Sequence, residues 1–384
     1  MKVTIKAKPQ DFIVEEIAKL PLVNKGAFGV YLLAKSGRNT VELLHELSRR
    51  LRIPAAAFSY GGRKDRHAQT CQYITIKSGR IPEIGEKSYS LKFIGFMRRP
   101  MSPDLIAANK FAVVVRRLSE KEAQGACAEI ETVNRFGYPN YFDDQRFGSF
   151  DSRQGFLAQK VLKGEYNGAL KIYLTSTNPD DTGKERERKH YIFEHWKDWE
   201  ICSAHAAGVF EKEAFDFLKK YPTKFLEVLK RISPQELTSY ISAYQAYLWN
   251  EMARRIVSLD SAGSYKKHEG AAGEYIFYAQ LKDSSLSKLI LSVPGPKAKI
   301  DNERYREIYE KVLEDNGIKS ASFNKMKLRQ AYFKSFPRQL IVRPQEVNFC
   351  VDSDEIYNDK KKLILKFTLG RGSFATMFIK RLFA

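Results

Sequence analysis

The 384-residue chain is 43% hydrophobic and 29% charged, enough apolar material to form buried cores, which excludes a chain disordered throughout. Its 65 Lys and Arg against 45 Asp and Glu leave a formal charge of +20, accompanied by 25 Phe and 20 Tyr, and cations beside flat rings suit RNA or single-stranded nucleic acid. Cys71, Cys127, Cys202 and Cys350 are too dispersed for a zinc site or a redox pair, no apolar run reaches the length of a membrane span, and residues 1–9 lack a signal-peptide core, so a reduced, cytoplasmic protein without a metal is expected.

From the N-terminus, Val3-Thr4-Ile5 and Phe12-Ile13-Val14 read as strands split by Pro9. Residues 40–51 follow as a helix, with Thr40 as its cap, Leu43, Leu44, Leu47 and Leu51 on one face, and Pro54 ending it. The chain crosses Gly61-Gly62 into a half-buried strand over 71–77, where Ile74 and Ile76 alternate with polar residues. Residues 111–115 predict a buried strand, and Ser119 with Glu122 forms a capping box for a helix closed by Gly137 and Pro139. Strands and helices in this order, without a strict βαβ rhythm, predict an α+β fold. Residues 175–189 are polar and charged and read as a loop or exposed arm, including Asn178-Pro179-Asp180-Asp181. Residues 210–257 are mostly helical, with Ile241, Tyr244, Leu248, Met252 and Ile256 in one stripe. The runs 363–369 and 377–383 read as strands on either side of Gly370-Arg371-Gly372. β-rich ends around a helical middle imply that both termini share one sheet.

No acid stands between Asp315 and Glu346, where Lys319, Lys325, Lys327, Arg329, Lys334, Arg338 and Arg343 are interleaved with Tyr332, Phe333 and Phe336. Residues 360–384 add seven cations, again without an acid. One such run alone is a solvated face; two of them in so basic a chain point to phosphates. Common signatures of chemistry are missing: there is no P-loop, and no glycine-rich turn follows a strand as a nucleotide cofactor requires. Gly26-Ala27-Phe28-Gly29 reads as a turn, and His190 and His195, five apart, read as solvated loop residues rather than metal ligands. What remains is Tyr60-Gly61-Gly62-Arg63-Lys64-Asp65-Arg66-His67-Ala68-Gln69-Thr70-Cys71-Gln72, a glycine hinge and then a carboxylate hemmed by three cations at the mouth of a strand. In isolation it is a surface turn. Adjacent cations would nevertheless keep Asp65 ionised, and an anionic carboxylate in a basic site suits attack on, or proton removal from, a nucleotide held by its phosphates.

The G-x-K-D-x-x-A-x-T-x-Q pattern of residues 62–72 resembles the active-site motif of the TruD family of tRNA pseudouridine synthases. Lys6-Ala7-Lys8-Pro9-Gln10-Asp11-Phe12 with Val14-Glu15-Glu16 resembles the family's N-terminal motif. Asn140-Tyr141-Phe142-Asp143-Asp144-Gln145-Arg146-Phe147-Gly148 is similar to its N-Y-F-G-x-Q-R-F-G, and Gly372-Ser373-Phe374-Ala375-Thr376 to its C-terminal G-S-[FY]-A-T. Weaker echoes are Asn39-Thr40, Asn109-x-Phe111 and Val293-Pro294-Gly295. The resemblance implies a pseudouridine synthase fold, with a mixed, mainly antiparallel sheet, and an inserted, mostly helical α/β domain. The expected limits are 1–154 and 320–384 for the catalytic domain and 155–319 for the insertion.

By the same resemblance Asp65 is the catalytic aspartate and Lys6 the active-site lysine, while Phe12, Asn140 and Phe374 line the uridine pocket; Phe142, beside Asn140 in the same motif, reads as a ring against the base. Arg63, Lys64, Arg66, Arg329, Arg338 and Arg371 are the expected contacts to the RNA backbone. The implied reaction isomerises a uridine of tRNA, at position 13, to pseudouridine without a metal or organic cofactor; the sequence leaves the oligomeric state open, with a monomer favoured, and no membrane association is expected. A non-catalytic RNA-binding protein and another RNA-modifying enzyme, such as a methyltransferase, are the competing readings; the missing cofactor turn argues against the latter. Three positions depart from the family pattern: Asp143 stands in place of Gly, Gly370-Arg371 in place of Pro and a small residue, and Arg381 in place of a common Glu.

Overall fold

Strand Phe12–Ala18 buries Phe12, Val14 and Glu16 and leaves the residues between them more exposed, the two-residue period of a half-covered sheet. In the computed structural model, which describes residues 3–178, 181–261, 264–281 and 283–384, this strand lies near the middle of a 10-stranded sheet. The spatial order is Gln345–Ser353, Lys361–Gly370, Ile106–Leu118, Phe12–Ala18, Gln69–Ile76, Phe28–Ser36, Tyr89–Met97 and Ile84–Gly85. The short strands Thr4–Ile5 and Phe58–Tyr60 pair at the sides of Ile106–Leu118 and Gln69–Ile76. Neighbours run antiparallel except for Phe12–Ala18 and Gln69–Ile76, which are parallel with Ile13 opposite Gln69. The fold is therefore α+β with a mixed, mainly antiparallel sheet. Both chain ends contribute to it, since Lys361–Gly370 pairs with Ile106–Leu118 and sets Phe367 opposite Phe111.

The chain divides into two compact units, Met1–Tyr138 with Val342–Phe383, and Pro139–Ile341 with Ala384. The limits expected at 154/155 and 319/320 fall within the second unit. In the first, helix Thr40–Leu51 lays Leu43, Leu44 and Leu47 against Tyr31, Leu33, Ile74 and Ile76 of the sheet. Leu43 and Leu47 are fully buried, and each contributes about 1.5–3 kcal/mol of apolar transfer. The helix is capped by Asn39 rather than Thr40: the Asn39 side chain accepts from the N–H of Val41 at 2.8 Å, which leaves Thr40 free for another task. Ser119 and Glu122 form the expected capping box of helix Glu120–Phe136, with Gly137 at its end.

A buried ionic cluster ties distant parts of this unit together. Arg116 grips Asp11 through two hydrogen bonds of 2.8 Å, Asp354 at 2.9 Å and Glu355 at 2.8 Å. Arg116 is 2% exposed, and its bonds, to Asp11 foremost, push the guanidinium pKa still higher. The N-terminal motif, the long central strand and the C-terminal hairpin are thereby pinned to one point.

Two expected elements differ. Residues 377–383 are not a strand; Ala375–Leu382 is a helix whose every residue but Lys380 is buried. Three apolar residues on either side of Lys380-Arg381 are too short a run to separate the period of a strand from that of a helix. Gly183–Glu194 is likewise a helix where a loop or arm is expected, and it contains His190, with His195 at its C-terminal cap. Thr182 caps it, Arg188 bridges Glu185 and Glu211, and Ile192 is buried, so capping and ion pairs outweigh a polar composition. The Pro179-Asp180 part of the expected loop lies outside the described residues.

The second unit is mostly helical with small β elements. Its longest helix, Pro234–Asp260, starts at the Ser233 cap and buries Ile241, Tyr244, Leu248, Met252 and Ile256 as their spacing predicts. Beside it stand the hairpin Tyr265–Gly270/Gly273–Tyr278 and the pair Ile290–Ser292/Pro337–Gln339. Among the described residues no helix is long and apolar enough to cross a membrane.

Candidate active site

Parallel pairing of Phe12–Ala18 with Gln69–Ile76 puts the starts of both strands side by side. Lys6 precedes one start and Asp65 the other, and their side chains meet: the Lys6 ammonium donates to Asp65 Oδ2, with 19% and 23% of the two side chains exposed. Asp65 Oδ1 accepts from the N–H of His67 at 2.8 Å. Burial pulls the carboxyl pKa upward, but the Lys6 ammonium and the His67 N–H outweigh it and hold Asp65 below the ordinary carboxylate range. Lys6 sits in the left-handed region, φ 65°, which costs a non-glycine residue about 1–2 kcal/mol and aims its side chain across the sheet. Its ammonium also lies 4.5 Å from the centre of the Phe12 ring.

The cations that flank Asp65 in sequence do not hold its charge. Arg63 and Arg66 point into solvent. Lys64 turns away, pairing with the buried Glu16 at 2.9 Å and with Asn109 Oδ1 at 2.6 Å. Glu16 belongs to the N-terminal motif and Asn109 to one of the weaker echoes, so this contact joins three separate stretches of the sequence.

The loop before Asp65 is clamped from beneath. Thr40 Oγ1 donates to Gln72 Oε1 at 3.1 Å and accepts from the N–H of Lys64 at 3.3 Å, while Gln72 Nε2 donates to the Gly62 carbonyl at 3.2 Å. Gly61 is required by packing, because a Cβ there would come within 2.4 Å of Ile106 Cδ1. Lys35, 2% exposed at the end of its strand, donates to the carbonyls of Arg38 at 2.7 Å, Asp65 at 3.0 Å and Lys64 at 3.5 Å. Burial lowers its pKa to about 8, against the pull of Asp65. Motif reasoning missed Lys35. The available signal was a lysine closing the apolar run Leu32-Leu33-Ala34, where a solvent-facing strand residue would otherwise be read.

Of the remaining expected residues in this unit, Phe12 is buried and packs edge-on to Phe111, 6.2 Å between centres. Phe374 is half-buried at the cap of helix Ala375–Leu382, with its carbonyl accepting from the Tyr138 hydroxyl at 3.5 Å. Arg371 is exposed. Arg381 is buried and reaches Glu129 at 2.6 Å, a salt bridge to helix Glu120–Phe136 that gives the departure from Glu a structural partner.

In the second unit Asn140 and Phe142 are both 5% exposed. Asn140 is fixed by Arg338, which donates to its Oδ1 at 3.0 Å and to its carbonyl at 2.6 Å, while Asn140 Nδ2 donates to the Gln339 carbonyl at 3.2 Å. Arg338 also lies 3.9 Å from the centre of the Phe142 ring, and Trp249 meets that ring edge-on at 5.8 Å. Arg338, expected on the RNA backbone, is thus an interior residue, 6% exposed and hydrogen-bonded to the Asn140 motif, whereas Arg329 is exposed. Asp143, in place of the family's glycine, has φ −83°, a conformation open to any residue. Among the described residues no group of His, Cys, Asp and Glu is placed to hold a metal.

A family model described as tRNA pseudouridine synthase D (TruD) matches residues 1–382. A tRNA pseudouridine synthase D of Leptospira interrogans is 31% identical over 389 residues, covering 98% of this chain and 95% of the relative. One of Aquifex aeolicus is 29% identical over 397 residues, covering 100% and 98%. A "probable tRNA pseudouridine synthase D 1" of Methanococcus maripaludis is 29% identical over 388 residues, covering 98% of both chains. The crystal structure of a putative tRNA pseudouridine synthase D from Methanosarcina mazei has the same fold, with a TM-score of 0.74 at 22% identity over 99% of this chain and 93% of that one. The family match over essentially the whole chain, together with a relative 31% identical over 98% of it, establishes that the chain belongs to the TruD family, tRNA pseudouridine synthase D.

Proposed function

We propose that this isomerase converts a uridine of tRNA, at position 13, to pseudouridine, with Asp65 as the essential catalytic group. The observation that carries the reading is the Lys6–Asp65 pair, an ionised carboxylate held by a cation from a distant motif. In the reaction the N1–C1′ bond breaks, a C5–C1′ bond forms, N1 takes up a proton and C5 releases one. Asp65 serves either by adding covalently to the nucleotide or by removing a sugar proton, and in both roles it must be ionised. The target base leaves its stack at a cost of a few kcal/mol, offset by phosphate contacts and ring packing. Detached uracil must turn and rejoin before it escapes, so water exclusion at the site is part of the chemistry. Assignment of Phe12 and Phe374 to the uridine pocket, and of Asn140 and Phe142 to the same nucleotide, is supported by their family motifs.

Release of tritium from tRNA labelled with [5-³H]uridine tests the reading. Wild type should release label, and Asp65→Asn should bind tRNA without release; equal release by both proteins would refute the assignment. Mapping pseudouridine in tRNA from a strain lacking this protein checks position 13.

A further inference from the structure

Between residues 323 and 333 of the second unit the chain forms a loop whose ends are joined by the buried rings of Phe323 and Phe333, 5.0 Å apart and edge-on. Leu328 is buried beneath it, and Gln330 Nε2 donates to the Leu229 carbonyl at 3.3 Å. This anchoring leaves Lys325, Lys327 and Arg329 exposed on the rim of a cavity of about 650 Å³ that Lys230, Asn324 and Gln330 also line. Among the described residues no acid lines the cavity. Of its cations, Lys230 has a carboxylate within reach, Glu227 at 2.9 Å, and that pair is solvent-exposed and therefore weak. Just beyond, Tyr332 is 68% exposed between the buried Ala331 and Phe333, a ring held by its neighbours and left uncovered.

A single small anion needs one or two of these cations. Several together on a pinned loop, with an open cavity beside them and a bare ring three residues further along the chain, match a chain of phosphates with an unpaired base. We infer that the cavity rimmed by Lys325, Lys327 and Arg329 is a subsite for the sugar–phosphate backbone of the tRNA substrate, with Tyr332 as the stacking platform for an unpaired base. The inference rests on the tRNA reading above and assigns the second unit a share of substrate binding.

The test compares the variant Lys325→Ala/Lys327→Ala/Arg329→Ala with a charge-matched control, Lys25→Ala/Lys77→Ala/Lys87→Ala, built from exposed lysines of the first unit. The dissociation constant for tRNA is measured by filter binding across a salt series, and tritium release gives kcat and KM. Every phosphate that is no longer neutralised lowers the salt slope by about 0.7–0.9, so the first variant should show a slope smaller by about 2 to 3 and a KM raised about tenfold or more, with kcat retained. Tyr332→Ala should weaken binding about tenfold without changing the slope. A slope for the cavity variant equal to that of the control would overturn the inference, and unchanged affinity in Tyr332→Ala would remove the ring from the subsite. Failure of wild type to release tritium would refute the enzymatic reading instead, and the salt slopes would still decide whether the cavity takes RNA.

Discussion

Replacing Lys35 by Met separates the positioning of Asp65 from the stability of the fold. The substitution keeps the length of the side chain and removes its charge. It strips the carbonyls of Arg38 and Asp65 of a donor, at about 1–3 kcal/mol each for a buried acceptor left unpaired. Against this, the depression of the Lys35 pKa from 10.5 to about 8 means that the buried ammonium itself costs about 3 kcal/mol, which the substitution returns. The opposing effects largely cancel, leaving a net change between a gain of about 1 kcal/mol and a loss of about 3 kcal/mol. Activity has no such compensation, because a catalytic group misplaced by about 1 Å loses about 10²-fold in rate.

The pH dependence sharpens the distinction. Between the folded value of about 8 and the ordinary 10.5, the unfolded chain binds more protons at Lys35 than the folded one, so this group makes the fold more stable as pH rises through that window. Its grip on the Asp65 carbonyl weakens over the same range. Wild type should therefore lose activity above pH about 8 while this group's contribution to stability increases, and Lys35→Met should lack that alkaline limb. Tritium release and thermal melting over the same pH series provide the measurement. Because the substrate's own ionisation is common to both proteins, wild-type kcat with an unchanged alkaline limb in Lys35→Met would refute the positioning role.

Lys6→Met removes the cation that holds the Asp65 carboxyl below its ordinary range while the burial remains; its pKa should rise, the acid limb of the pH–activity profile should move to higher pH, and a pH series of tritium release reads both. Arg116→Met leaves Asp11 and Asp354 as buried carboxylates without their cation, and urea unfolding should show a loss of about 3–5 kcal/mol. Arg338→Met unties Asn140 and the Phe142 ring, so tritium release should fall about 10–100-fold, as for other misplaced site groups, with the salt slope of tRNA binding unchanged.

Asp65 was legible because its motif is long and specific, and the sheet supplies the physical reason that Lys6 accompanies it. Two strands far apart in sequence run parallel in an otherwise antiparallel sheet, so the residues before both come to one edge. Nothing in the order of residues announces that pairing. Lys35 was not legible because its acceptors are backbone carbonyls, which carry no residue identity. The helix Gly183–Glu194 was hidden for a related reason: its stability comes from a cap and from Arg188 bridging a neighbouring helix, neither of which is a hydrophobic period. The helical stripe of Pro234–Asp260 emerged as expected because it repeats over many turns, whereas the eight residues of Ala375–Leu382 make too few turns to show a period.

A basic sequence overstates the number of cations available to RNA, and the fold shows how to correct that number. Lys64 and Arg338 stood among the residues expected on phosphates; the first is paired with Glu16 and Asn109, the second buried against Asn140. Arg63 and Arg66, on either side of Lys64 and Asp65, remain exposed. Neighbours in the same motif therefore have different consequences. Arg63→Ala should reduce the salt slope of tRNA binding by the share of one phosphate, roughly 0.7–0.9, and leave the bound enzyme's turnover intact. Lys64→Ala should leave the slope alone and lower turnover, because it abandons the buried Glu16 carboxylate and loosens the loop that carries Asp65. Equal slopes for the two variants, or the reverse assignment of slope and turnover, would show that the interior pairing of Lys64 gives way when tRNA binds and that charge in this motif acts on the RNA as a block.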